Sequence, residues 1–193
     1  YYLVTQDKEK AMNLPQLEKI NDKGYEVLFF TDPVDEFMIR AIDQFEDFEL
    51  KSLNKASGDF EDNEKIDKIK EENTDLLSAL KDNLDEKIDE IKISSKLKDT
   101  AVCLVTDDMG MSLHTEELLR KVQDIPASSK KILEINPDHK VFDVLKDEFE
   151  SNNNSEKLKE YSELLLNQAY LMEGLELENP TKFANQISKL MTK

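Results

Sequence analysis

Between Gly58 and Glu90 the chain is dominated by carboxylates and lysines, and its apolar residues recur at Ile66, Ile69, Leu76, Leu77, Leu80, Leu84 and Ile88. Steps of three, four and seven place these side chains on one narrow stripe of a helix, with charge around the rest. A long, solvated connecting helix is therefore predicted over this stretch, with an acidic binding tail as the alternative. Strand signals lie on both sides of it. The chain is thus constrained to an α+β fold in which a long helix joins two units.

In the front unit, Tyr1 to Thr5 reads as a strand, since aromatic and β-branched residues suit a half-buried pleat. A helical stretch from Asp7 to Lys23 is interrupted near Pro15 and stopped by Gly24. Tyr25 to Phe30 is the most apolar strand of this half and is expected to be central in its sheet. Asp32-Pro33 caps a helix predicted to run from Val34 to Phe45, and Leu50 to Asn54 reads as an edge strand. Together these form a small αβα subdomain over residues 1–70. A strand at the first residue, with no initiator Met, reads as a piece of a longer protein.

The second unit, residues 71–193, has strands predicted at Glu90–Ser94, Ala101–Val105 and Lys131–Ile135, and a helix over Met111–Val122. Three helices follow, at His139–Glu150, Glu156–Met172 and Thr181–Met191, with caps at Ser155 and Asn179 and a stop at Gly174. This is a mixed α/β domain ending in helices.

Composition removes several functions. The 193 residues carry a formal net charge of −17, which repels phosphate backbones and anionic lipid. No apolar run reaches the roughly 20 residues of a membrane span, and no signal peptide is visible. A single Cys cannot form an internal disulfide, which suits a cytoplasmic protein.

Catalytic material is thin. His114 and His139 lack zinc-type spacing, so His114 reads as an exposed helical residue and His139 as a cap. Cys103 sits in an apolar strand and reads as core. Asp107 and Asp108, at a strand end, could hold Mg²⁺, but no glycine-rich phosphate loop accompanies them.

The stronger signals are apolar. Met109 and Met111 flank Gly110, and Met111, Leu118 and Leu119 fall on one side of the predicted helix. Met is flexible and polarizable, so such a face either packs on the adjacent sheet or meets partners of variable shape. A second surface runs along Leu158, Tyr161, Leu165, Ala169 and Met172, and a third along Phe183, Ile187, Leu190 and Met191. These helices either pack within the chain or bury themselves against a symmetry mate as a four-helix bundle.

Several runs resemble the Hsp90 chaperone family. Tyr1-Tyr2-Leu3-Val4-Thr5, Gly24 to Leu28 and Asp32 to Phe37 are similar to the end of that family's middle domain. Val105-Thr106-Asp107, Leu133-Glu134-Ile135-Asn136-Pro137-Asp138-His139 and Leu175 to Pro180 are similar to its C-terminal domain. The missing acidic tail resembles the bacterial, high-temperature protein G type. The resemblance implies a homodimerisation and client-binding segment with no catalytic residues and no bound metal or cofactor of its own. ATP and Mg²⁺ would then act through domains upstream, in a parent ATPase. It implies a client-contact set of Glu36, Phe37, Arg40, Met109, Met111, Leu118 and Leu119. The dimer interface it implies is Leu158, Tyr161, Leu165, Ala169, Met172, Phe183, Ile187, Leu190 and Met191. The implied partners are a second copy and unfolded or partly folded proteins. Three positions depart from the family pattern: Phe37 where Trp is frequent, Thr115 where some relatives have Met, and Ala101 where Pro is common. The rival readings are a small cytosolic metal-dependent hydrolase using Asp107 and Asp108, and a monomeric acidic adaptor.

Overall fold

The computed structural model describes residues 1–42, 44–56, 63–123 and 129–192. Two parallel strands open the fold, β1 (Tyr2–Val4) and β2 (Leu28–Phe30). Between them run α1 (Lys8–Ala11), a 3-10 turn at Pro15–Leu17 and α2 (Glu18–Lys23). Asp7 caps α1 by accepting from the Glu9 and Lys10 N–H groups, and Gly24 ends α2 at a left-handed φ of 69°. Leu3, Ala11, Leu14, Leu17, Ile20 and Leu53 form the core of this unit.

The inner strand is β1 and not, as the apolar run suggests, β2. Leu28 of β2 is exposed, while Val27 and Phe29 pack against the core, so the run serves one face of an edge strand. On its other side β1 bonds to residues 51–54. Tyr2 N donates to Lys51 O (2.9 Å) and Leu53 N to Tyr2 O (2.8 Å). The Asn54 amide then stands in for backbone: Val4 N donates to its Oδ1 (2.8 Å) and its Nδ2 donates to Val4 O (3.2 Å). Two residues further on, the same segment joins the second sheet. Thr106 N donates to Asn54 O and Ala56 N to Thr106 O, both at 3.0 Å.

Helix α3 (Pro33–Arg40) begins from a capping box between Asp32 and Asp35. It stops at Arg40 rather than Phe45, because Gln44–Phe45 (β3) and Phe48–Glu49 (β4) pair as an antiparallel hairpin. The predicted connecting helix is two helices, α4 (Asn63–Glu72) and α5 (Thr74–Asp82); residues 58–62 of that prediction lie outside the described residues. Asn73 leaves helical geometry at φ −121°, ψ 19°, with its Nδ2 donating to Ile69 O (2.7 Å). The apolar stripe is present but buried: Leu76, Leu77, Leu80, Leu84 and Ile88 belong to the larger core, and Ile66 and Ile69 pack against it. Ile66 and Ile69 of α4 therefore pack with the back unit.

That larger core lies on a three-stranded sheet, β5 (Glu90–Ile93), β6 (Val102–Thr106) and β7 (Lys131–Ile135), in the order β5-β7-β6. β5 runs parallel and β6 antiparallel to β7. Helices α6 (Leu113–Gln123), α7 (Lys140–Ser151), α8 (Glu156–Met172) and α9 (Pro180–Met191) complete an α+β fold. The last three have side-chain caps: His139 Nδ1 accepts from Val141 N (3.1 Å), Ser155 Oγ from Leu158 N (2.9 Å) and Asn179 Oδ1 from Lys182 N (2.9 Å). Leu97, Cys103, Val105 and Ile132 form a smaller cluster with Ala56. Beside Cys103 is a buried ion pair, Lys96 Nζ to Glu134 Oε1 at 2.9 Å, with Ser94 Oγ donating to Glu134 Oε2 (2.8 Å). Burial and Glu134 hold the Cys103 thiol well above its ordinary pKa, which keeps it protonated and inert.

Candidate functional site

The loop from Asp107 to Ser112, between β6 and α6, is one place where the front unit grips the back one. The Gly110 carbonyl accepts from both Arg40 Nη2 and Lys55 Nζ, and Lys55 Nζ also donates to Thr106 Oγ1 (3.1 Å). Glu36, on α3, takes Ser112 N and Ser112 Oγ, each at 2.7 Å, and Arg40 Nη2 at 3.3 Å. Ser112 Oγ in turn accepts from Thr115 N (3.3 Å), so a carboxylate from another element completes the cap of α6. From the other side, Met111 N donates to Ser129 Oγ (2.8 Å) and Lys130 N to Asp107 Oδ1 (3.2 Å). Gly110 is required by space: a Cβ there would lie 2.5 Å from Asp107 Oδ1 and 2.8 Å from Ser129 Cβ.

Burial raises the Glu36 carboxyl pKa, but hydrogen bonds from Thr115 and Ser112 and the Lys55 charge outweigh it, and the net shift is downward. Burial pushes Lys55 down to about 8 despite Glu36, Asp107 and Asp108 nearby. A cavity of about 270 Å³ opens beside this network, lined by Tyr2, Arg40, Lys51, Asn54, Lys55 and Asp108 among others.

The residues implied for client contact divide into two groups. Glu36 is only 3% exposed, and its carboxylate is engaged inside the network by Ser112 and Arg40. Arg40 is exposed but engaged with Glu36 and Gly110. Phe37 and Met109 are exposed, Met109 at 87%. Met111 lies ahead of α6, which begins only at Leu113, and it is half-buried, as are Leu118 and Leu119. The Ser112 cap sets that start.

The implied dimer surface divides in the same way. Leu158, Leu165 and Ala169 are buried in the chain's own core, with Tyr161 and Met172 packed against it, so the α8 stripe has little surface to offer a partner. Helix α9 is different. It holds α8 through polar groups: Lys182 Nζ to Glu163 Oε2 (2.5 Å), Gln186 Nε2 to the same oxygen (3.2 Å) and Lys189 Nζ to Glu160 Oε1 (3.3 Å). Phe183, Ile187, Leu190 and Met191 lie about a third of a turn away, half-buried at Phe183 and exposed at the other three. Leu171 of α8 is exposed as well.

Asp107 is engaged by Lys130 N, and among the described residues no group of three or more His, Cys, Asp or Glu side chains could hold a metal ion. Among those residues no helix is long and apolar enough to cross a membrane.

The family model described as Hsp90 protein matches residues 1–193. The chain belongs to the Hsp90 family. Curated relatives named chaperone protein HtpG agree: that of Clostridium acetobutylicum is 42% identical over 193 residues, covering 99% of this chain and 30% of the relative. That of Clostridium perfringens strain 13 is 41% identical over 192 residues, covering 99% and 30%, and that of Bacillus subtilis strain 168 is 38% identical over 197, covering 99% and 31%. The chain thus spans about a third of the length of these relatives.

Sequence reasoning missed two features of this Hsp90 chain. The first is Lys55, whose role follows only from the stitching of residues 54–56 onto β6. The second is His114, which is not freely exposed: its Nε2 lies 3.6 Å from Glu173 Oε2. Burial pushes Glu173 up to about 7 and pushes His114 below its ordinary value, so near neutral pH this contact is not a fixed ion pair. Gln16 Nε2, from the front unit, also donates to Glu173.

Proposed function

We propose that this chain is the end of the middle domain plus the C-terminal dimerisation domain of an Hsp90-type chaperone, and that it binds non-native client proteins and a second copy of itself. The observation that carries the reading is the Gly110 loop, which fixes Met109 in solvent beside Met111 by clamping the backbone between Glu36, Arg40, Lys55 and Ser129. A rigid mount with a flexible thioether at its tip suits ligands of varied shape. The acidic surroundings favour apolar segments flanked by basic residues. The full-length parent is proposed to act in the cytoplasm and to bind ATP and Mg²⁺ outside this segment. Joining two chains through α9 would raise the effective concentration of those ATPase domains for each other.

The test is binding of reduced, carboxamidomethylated α-lactalbumin, an unfolded protein whose blocked cysteines add no negative charge, by fluorescence anisotropy. Met111→Asp with Leu118→Asp is expected to weaken binding at least about tenfold. Because both positions are half-buried, Met109→Asp is measured beside them as a variant that leaves packing untouched. Full binding by both variants, with unchanged circular dichroism, would show that this face only packs.

A further inference from the structure

We infer that the β3–β4 hairpin is a docking tip for extended apolar segments of non-native polypeptides that carry lysine or arginine; this rests on the client-binding reading above. Phe45 and Phe48 are directly paired across the hairpin, so their rings stand on one face, and they are 65% and 72% exposed. The turn between them is Glu46-Asp47, with Glu46 at φ 52°. A side chain enters that left-handed region at a cost of about 1 kcal/mol, and such strain gathers where a surface has work to do. Here the strain holds two benzyl groups side by side in water.

The hairpin does not stand alone. Val34, Phe37 and Met38 of α3, and Ile42 just beyond it, are also exposed. Single exposed apolar residues need no explanation, but six between positions 34 and 48 amount to a local concentration. The charge around them selects the occupant. Asp35, Glu46, Asp47 and Glu49 outnumber Arg40, whose guanidinium is already engaged, while Glu49 lies 3.7 Å from Lys51. A second copy of this chain, at −17, is repelled by such a tip, and so is an anionic membrane. A segment alternating apolar and cationic residues is attracted, and its cations can also sit over the phenyl faces.

The experiment compares two short fluorescein-labelled peptides, one alternating Leu and Lys and the other Leu and Glu, on the full 193-residue chain. The Leu–Lys peptide is expected to bind at least about tenfold more tightly than the Leu–Glu peptide. Phe45→Ser with Phe48→Ser is expected to remove at least about tenfold of that affinity with the melting temperature unchanged, since both rings are exposed. Glu46→Lys with Asp47→Lys should weaken the Leu–Lys peptide and strengthen the Leu–Glu one. Equal binding of the two peptides, or full Leu–Lys affinity in the Phe variant, overturns the hairpin site. If α-lactalbumin binding still falls in Met109→Asp, the broader client reading survives that failure; if the wild-type chain binds neither peptide nor α-lactalbumin, both fall together.

Discussion

At Glu173 a carboxyl group is fully enclosed, at the C-terminal end of α8, with Gln16 as hydrogen-bond donor and His114 beside it. Enclosure and the negative end of the helix both disfavour the charged form. The folded-state pKa of about 7 lies above the ordinary carboxylate value of 4.5, so between those limits the folded chain holds more protons than the unfolded one. Stability from this group is therefore full below pH 4.5 and declines as pH rises through 7. Glu173→Gln keeps the shape without the charge. It is expected to raise the melting temperature at pH 8 and to have little effect at pH 5, with a gain on the order of 2 kcal/mol at the higher pH. Thermal denaturation of both proteins at the two pH values checks this; equal differences at both would assign the effect to shape alone.

Among the elements, the Gly110 loop is held at close quarters, and its test follows from the missing Cβ. Gly110→Ala brings a methyl group against Asp107 and Ser129, so the loop must shift and loosen its ties to Arg40 and Lys55. A loss of about 1–3 kcal/mol in denaturant unfolding is expected, together with weaker α-lactalbumin binding. Binding that stays intact while stability falls would separate the loop's clamp from ligand contact. Much at this scale was legible in the sequence. Gly24, Pro15, Asn179 and Ser155 marked boundaries through their own backbone chemistry, and α8 runs over the predicted residues Glu156–Met172. Illegible were features that depend on distant pairing. The hairpin at Phe45 and Phe48 has no glycine at its turn. The start of α6 is set by Glu36, remote in sequence, capping through Ser112. Among the residues implied for client contact, the sequence could say that Glu36 and Met109 lay near one another only through family resemblance, and it could not say which one faces water.

For the whole molecule, α9 raises the question of assembly. In the chain itself its apolar residues cover little, which is the pattern of a helix waiting for a second apolar surface. Ile187→Asp with Leu190→Asp is expected to convert a dimer of twice 22.4 kDa into a monomer, read by light scattering at micromolar concentration. A wild-type mass of 22.4 kDa would leave the adaptor reading in its place. The polar attachment of α9 also has a thermodynamic signature. Its ties to α8 are solvent-accessible ion pairs through Lys182 and Lys189, which dissolved salt screens. An apolar contact through Ile187 and Leu190 is strengthened by sulfate, which is excluded from protein surfaces. Raising ammonium sulfate therefore pulls on the two sides of one helix in opposite senses, slackening its hold on its own chain while tightening its grip on any apolar face it meets.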